Sequence, residues 1–192
     1  MVKSEAMPAD YAKLEDWNPE TCSDAPRSIT FALNNSTSDA EQIITFLAHF
    51  ARQYGKSPTI MTVAAKMIRN IRANNFVEEQ YSRVASFVLD RVTYVADPRG
   101  AEYVRSPVKL IREYCERGFA QGDCDDMALL TASLMTALGF KARIVAVKIN
   151  NSDYYNHVLN QVMVRGRWKW FDGCNKNYPN KPWEDYIVKD VT

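Results

Sequence analysis

Cys124 lies in the run Gln121-Gly122-Asp123-Cys124-Asp125-Asp126, between a glycine turn and a strongly apolar stretch, and a thiol at such a junction is a candidate nucleophile. Apolar side chains recur at Met127, Leu130, Leu134 and Leu138, with Thr131 on the same stripe, and Gly139 closes the pattern. This spacing predicts a helix ending in a glycine cap. Asp123 is the natural N-cap, so Cys124 falls in the first turn on the core-facing stripe, near backbone N–H groups that favour a thiolate and, later, an oxyanion. A nucleophilic thiol needs a base, and a neutral imidazole needs a partner to orient it. The chain has two histidines. His49 falls inside a helical pattern, where a structural role is expected. His157 opens a strand-like run directly after a polar loop, a usual position for a site residue on a rigid scaffold, and Asp172 is the candidate orienter.

Whether His157 and Asp172 can meet depends on one hairpin. With a two-residue loop at Arg165-Gly166, Val164 faces Arg167, Leu159 faces Asp172, and His157 lies diagonally one step away on the same face. A three-residue loop pairs Asn160 with Asp172 and turns the carboxylate to the opposite face, because strand side chains alternate. A triad requires the even register or a bulge that restores it.

The acidic neighbours oppose activation. Three carboxylates at a helix start stabilise the helix yet offset the field that would lower the thiol pKa. A helix end contributes about 0.3–1 kcal/mol, less than the roughly 1.4 kcal/mol of one pKa unit, whereas an adjacent imidazolium shifts a partner by about 1–3 units. Activation is therefore expected from the histidine. Asp125 and Asp126 are expected as capping residues of a solvated first turn that need not touch the sulfur. A metal site from Asp123, Cys124, Asp125 and His157 would mix hard and soft ligands without regular spacing, so neither a metal nor a cofactor is expected. Trp168 and Trp170 share a strand face with Asp172 and are candidates to wall a substrate site, although tryptophans at period two also suit a core. Cys115 is expected to pack inside a helix, and Cys174 to be incidental rather than a redox partner of Cys124.

The elements around these residues follow from periodicity and punctuation. Residues 1–37 read as an arm ending in a strand, with Ile29, Phe31 and Leu33 alternating. Ser38-Asp39-Ala40-Glu41 fits a capping box, and helical spacing from Ile43 runs to Gly55. Ser57-Pro58 opens a second helix, Val77, Tyr81, Val84, Val88 and Val92 mark a third, residues 94–105 form an ordered loop, and Ser106-Pro107 opens a short helix that stops at Gly118. Beyond Gly139 the period changes: residues 143–149 and 157–164 read as strands, Arg165-Gly166-Arg167 as a tight turn, 168–172 as a third strand and 186–188 as a last one. The fold class is α+β. The organisation is an arm (1–37), a domain (38–175) with a helical half (38–117) and a core (118–175), and a C-terminal extension (176–192).

Composition restricts the partners. A chain of 192 residues with 46% hydrophobic content can bury one substantial core. The formal charge is +1 and the basic residues are scattered among acidic ones, which leaves no footprint for nucleic acid or an anionic membrane. No apolar run approaches the roughly 18–20 residues of a membrane span, and the first residues lack a signal-peptide core. Four cysteines without paired spacing predict reduced thiols and a cytosolic setting.

Taken together, Gly122-Asp123-Cys124-Asp125-Asp126 with its helix, Asn156-His157-Val158 on a strand, and Gly166-Arg167-Trp168-Lys169-Trp170-Phe171-Asp172-Gly173 resemble the core of the transglutaminase-like superfamily, with its papain-like Cys-His-Asp fold. Upstream, Tyr94-Val95-Ala96-Asp97-Pro98 and Glu102 followed by Ser106-Pro107 resemble a subgroup of bacteriophage and prophage genomes. The resemblance implies acyl-transfer chemistry on amides, with Cys124 as nucleophile, His157 as general base and then acid, and Asp172 holding the imidazole. Water as acceptor gives a peptidase or amidase; a primary amine gives a cross-linking transferase. The Cys124 N–H is one expected oxyanion donor. Gln121 is the nearest candidate for the second, with Tyr94, Tyr103 and Tyr114 as alternatives, and Tyr103 joins the two tryptophans as a candidate substrate contact. The implied partner is a polypeptide or peptidoglycan-type amide, and a phage-encoded chain would work in the host cytosol or on the virion. The alternative is a catalytically silent phage structural or protein-binding module on the same fold.

Overall fold

Helix α5 (Cys124–Ala137) is the hub of the molecule. Every residue from Asp125 to Met135 is buried, so this helix is covered on all sides, as a central core helix must be. Asp123 caps its start by accepting from the Asp126 N–H, and its end turns through Gly139 at φ +82. In this computed structural model the described residues are 28–31, 37–98, 102–175 and 183–191.

Four helices pack on α5: α1 (Thr37–Tyr54), α2 (Pro58–Ile68), α3 (Phe76–Arg91) and α4 (Pro107–Arg117). Ser57 and Ser106 cap α2 and α4 from the position before a proline, and α4 ends at Gly118 with φ +79, as the punctuation predicts. The stripe expected for α3 is shorter than the sequence suggests: Val77 is exposed and Val92 begins a strand.

Against α5 lies a four-stranded antiparallel sheet in the order β7-β6-β5-β8, made of β5 (Ala142–Val147), β6 (His157–Val164), β7 (Arg167–Phe171) and β8 (Tyr186–Asp190). One face, with Ala142, Ile144, Ala146, Val162, Val164 and Phe171, joins the main core. The other carries a small second core of Val145, Val147 and Leu159, against which Ile149, Trp170 and Trp183 pack. Both faces of β5 are therefore covered, which explains its continuous apolar run. Asn160 is fully buried and pins β6 to α5, its Nδ2 donating to the Ala128 carbonyl at 3.1 Å.

The region expected as one ordered loop, 94–105, instead contributes to two strand pairs. β2 (Val92–Tyr94) runs parallel to β4 (Ala120–Gly122), and β3 (Glu102–Arg105) runs antiparallel to β1 (Ser28–Phe31). Each pair joins segments far apart in the chain, so no local pattern announces it. β1 falls where the alternation of Ile29 and Phe31 put it; Leu33 and the rest of the arm lie outside the described residues.

Candidate active site

The hairpin on which the candidate triad depends has the even register. Arg165 and Gly166 form a two-residue loop with φ +50 and +77, Val164 pairs with Arg167 and Asn160 with Phe171. Both loop residues are left-handed, as the hairpin turn matching strand twist requires, and glycine makes this inexpensive at the second position. Leu159 thus comes opposite Asp172, and His157 shares the face. His157 Nε2 lies 2.9 Å from Asp172 Oδ2, with both side chains largely buried. A carboxylate can only accept, so Nε2 carries the hydrogen and Nδ1 keeps the lone pair that a base needs. The other carboxylate oxygen, Oδ1, accepts the Cys174 N–H at 2.9 Å, which fixes the orientation of Asp172.

Cys124 is half-buried at the first position of α5, and its sulfur accepts the N–H of Val158, the residue after His157. Burial pushes the thiol well up, and the charges of Asp125, Asp123 and Cys174 push it further, against the small opposing effect of the Val158 hydrogen bond. The structure brings the three expected residues to one junction of helix and sheet. It joins His157 to Asp172 directly and Cys124 to the strand backbone beside them.

The first turn of α5 is not solvated. Asp125 and Asp126 are both 0% exposed, contrary to the expectation from their charge. Asp126 accepts the Arg105 N–H at 2.6 Å, and the Arg105 guanidinium stands 3.7 Å away. Burial still outweighs these partners and raises its pKa to about 8, so Asp126 is mostly neutral at pH 7 and the thiol faces fewer negative charges than the sequence implies. The same guanidinium donates to the Gln121 carbonyl at 2.5 Å, tying β3 to the turn before the cysteine. Gly122 is required there: a Cβ would stand 2.8 Å from the Asp126 Cβ.

A cleft of about 810 Å³ opens over His157, Asp172 and Cys174, with Tyr94, Lys148, Ile149, Asn150, Asn151, Asn175 and Trp183 completing its wall. Of the residues expected to touch substrate or oxyanion, several are elsewhere. Trp168 packs under the Arg143 guanidinium, 3.9 Å from its ring centre. Tyr103 lines a separate basic hollow with Arg105, Lys109 and Arg112. Tyr114 is buried against Phe87. Gln121 is held by its backbone, paired with Thr93 and bonded to Arg105. Trp170 stands one layer back, packing on Trp183 at 5.6 Å. Tyr94, half-exposed, is the tyrosine in the cleft wall. Sequence reasoning missed Trp183 and the 148–151 loop; the signal available was the polar segment before His157, with Asn150 and Asn151 both at left-handed φ.

A cysteine at the start of a buried helix, hydrogen-bonded to the hairpin that carries a histidine-aspartate pair, sits in a mixed helix and sheet fold. The chain belongs to the transglutaminase-like superfamily, whose sequence model matches residues 61–173, more than half of its length. A solved candidate protease from Parabacteroides distasonis shares the fold, with 14% identity and a TM-score of 0.51 over 78% of this chain and 29% of that one. A candidate cysteine protease from Cytophaga hutchinsonii is similar at 23% identity and a TM-score of 0.46, covering 69% of this chain and 42% of that one. The chain thus spans less than half the length of these proteins. No curated protein matches it. Among the described residues, no helix is long and apolar enough to cross a membrane.

Proposed function

We propose that this protein is a thiol-dependent acyl-transfer enzyme acting on amide bonds of a polypeptide or peptidoglycan-type substrate. The observation that carries the reading is the His157–Asp172 pair, 2.9 Å apart, at the floor of a cleft beside a helix-start cysteine. Because burial and acidic neighbours keep the Cys124 proton in place, the resting nucleophile is a neutral thiol. His157 Nδ1 takes the thiol proton as sulfur attacks the amide carbon. The carbonyl oxygen gains the charge, held by the Cys124 N–H and the Tyr94 hydroxyl. The C–N bond then breaks, and the imidazolium returns its proton to the departing amine. Water or a primary amine, deprotonated by the same imidazole, releases the acyl group from Cys124. Asp172 holds the ring tautomer and offsets the imidazolium charge. The asparagines and Trp183 of the cleft suit a polar, extended amide substrate.

A second reading is a silent binding module. It is favoured by the raised Cys124 thiol and the charges of Asp123 and Asp125 beside it. A peptidyl vinyl sulfone separates the two. The enzyme reading expects adduct on Cys124, detected by peptide mass spectrometry, slowed by at least about 100-fold in His157→Ala, the lower end of general base catalysis. Modification of Cys124 no faster than of Cys115, and indifferent to His157→Ala, leaves only the binding module.

A further inference from the structure

The thiol in the cleft wall is Cys174, not Cys124. One ligand atom each from Cys174, His157 and Asp172 lies within 4.8 Å of the others, a constellation the proposed reaction uses only in part. We propose that Cys174, His157 and Asp172 bind a thiophilic divalent cation of the zinc type, which silences the site by occupying its base.

The ligand chemistry selects the ion. Thiolate, imidazole and carboxylate are the ligands zinc takes in tetrahedral sites, whereas calcium and magnesium demand oxygen throughout. Bonds of about 2.0–2.3 Å put neighbouring ligand atoms around such an ion roughly 3.3–3.8 Å apart. The three ligand atoms already lie within 4.8 Å of one another, and the 2.9 Å between His157 Nε2 and Asp172 Oδ2 widens by roughly half an ångström to admit an ion. All three side chains line the open cleft, so the ion enters without unfolding and the cleft supplies its fourth position. The support behind the ligands is already built: the Cys174 N–H fixes Asp172 through Oδ1, and Met127 Sδ lies 3.6 Å from Cys174 Sγ. A dication in the site is attracted by the nearby carboxylates, and a thiol that ligates it is deprotonated. Binding releases one proton from Cys174 to solvent. The imidazole moves its hydrogen from Nε2 to Nδ1, donates the Nε2 lone pair to the ion and stops being a base. This set differs from Asp123, Cys124, Asp125 and His157, because the turn after β7 brings Cys174 to the histidine.

Ion binding is independent of the acyl-transfer reading; the silencing rests on it. The test titrates the full, reduced chain with zinc by calorimetry and with cobalt(II) by absorption. One ion per chain, with a thiolate-to-cobalt charge-transfer band, is expected. In Cys174→Ser the band disappears and zinc affinity falls by at least about tenfold; in Cys124→Ala both persist. Cys174→Ala is the second variant, and each is compared at an unchanged far-UV dichroism spectrum. A missing band, a band unaffected by either Cys174 substitution, or one lost in Cys124→Ala overturns the site. Zinc bound through Cys174 in a protein whose Cys124 fails the vinyl sulfone test sinks the enzyme reading and leaves the metal site standing. Labelling of Cys124 with no ion bound does the reverse.

Discussion

At the residue scale, Asp126 is a side chain whose chemistry departs far from what its type suggests. A carboxyl with a folded pKa of about 8, raised from 3.8, binds its proton more tightly in the native state than in the unfolded one. Its stabilising contribution is complete below the unfolded value, is lost as pH rises, and levels off above about 8. The slope has an upper limit of about 1.4 kcal/mol per pH unit for one proton. Asp126→Asn keeps the shape and an acceptor for the Arg105 N–H while removing the titration. The difference in unfolding free energy between variant and parent, measured by urea denaturation from pH 5 to 8, is expected to grow in favour of the variant as pH rises. A pH-independent difference would show that Asp126 is ionised throughout. The residues of the candidate site were legible in the sequence: a cysteine after Gly122-Asp123, a histidine after a polar loop, an aspartate at a strand end. The protonation of Asp126 was not, because it follows from burial of the first turn of α5 by packing across the fold, which outweighs the opposing Arg105 contacts.

At the element scale, the β6–β7 hairpin carries the geometry. Its two-residue loop places His157 and Asp172 on one face, and Gly166 at φ +77 holds that loop. Gly166→Val forces a β-branched residue into a left-handed conformation, costing about 1–2 kcal/mol. A fall in urea midpoint with unchanged m-value is expected, together with slower His157-dependent labelling of Cys124. Full stability in this variant would mean that the turn does not set the register. The sequence left two registers open here, since the loop length could be counted either way; β5, pairing with β6 along its whole length, and the anchoring of Asn160 on α5 make one of them the better packed.

At the scale of the whole molecule, α5 lies between the four helices and the sheet, while β8 forms an edge whose side chains are mostly exposed. Leu129, Leu130, Leu134 and Met135 have 1% exposure or less, and burying each contributes roughly 1.5–3 kcal/mol. Cys124, the candidate nucleophile, therefore sits on the element that can open only when the fold does. Amide hydrogen exchange is expected to be slowest in α5, β5 and β6, at the rate of global unfolding, and faster in β8. Exchange in β8 as slow as in α5 would show the sheet edge to be part of the same cooperative unit. The cleft, by contrast, is walled largely by loop residues, Asn150, Asn151, Asn175 and Trp183, on a rigid floor.

The sequence by itself determined the helices, their caps, the switch from helical to strand periodicity and the three residue types of the candidate site, because each is written in spacing of a few residues. Tertiary structure alone decided which residues face the cleft. Short strands such as β2, β3 and β4 exist only through partners far along the chain. Trp168 and Tyr103 were turned to other surfaces by packing that no period encodes, Cys174 was brought to the histidine by the turn after β7, and the acidic first turn of α5 was buried by a fold that supplies it with an arginine. Local chemistry named the candidates; long-range packing set their charge, exposure and neighbours.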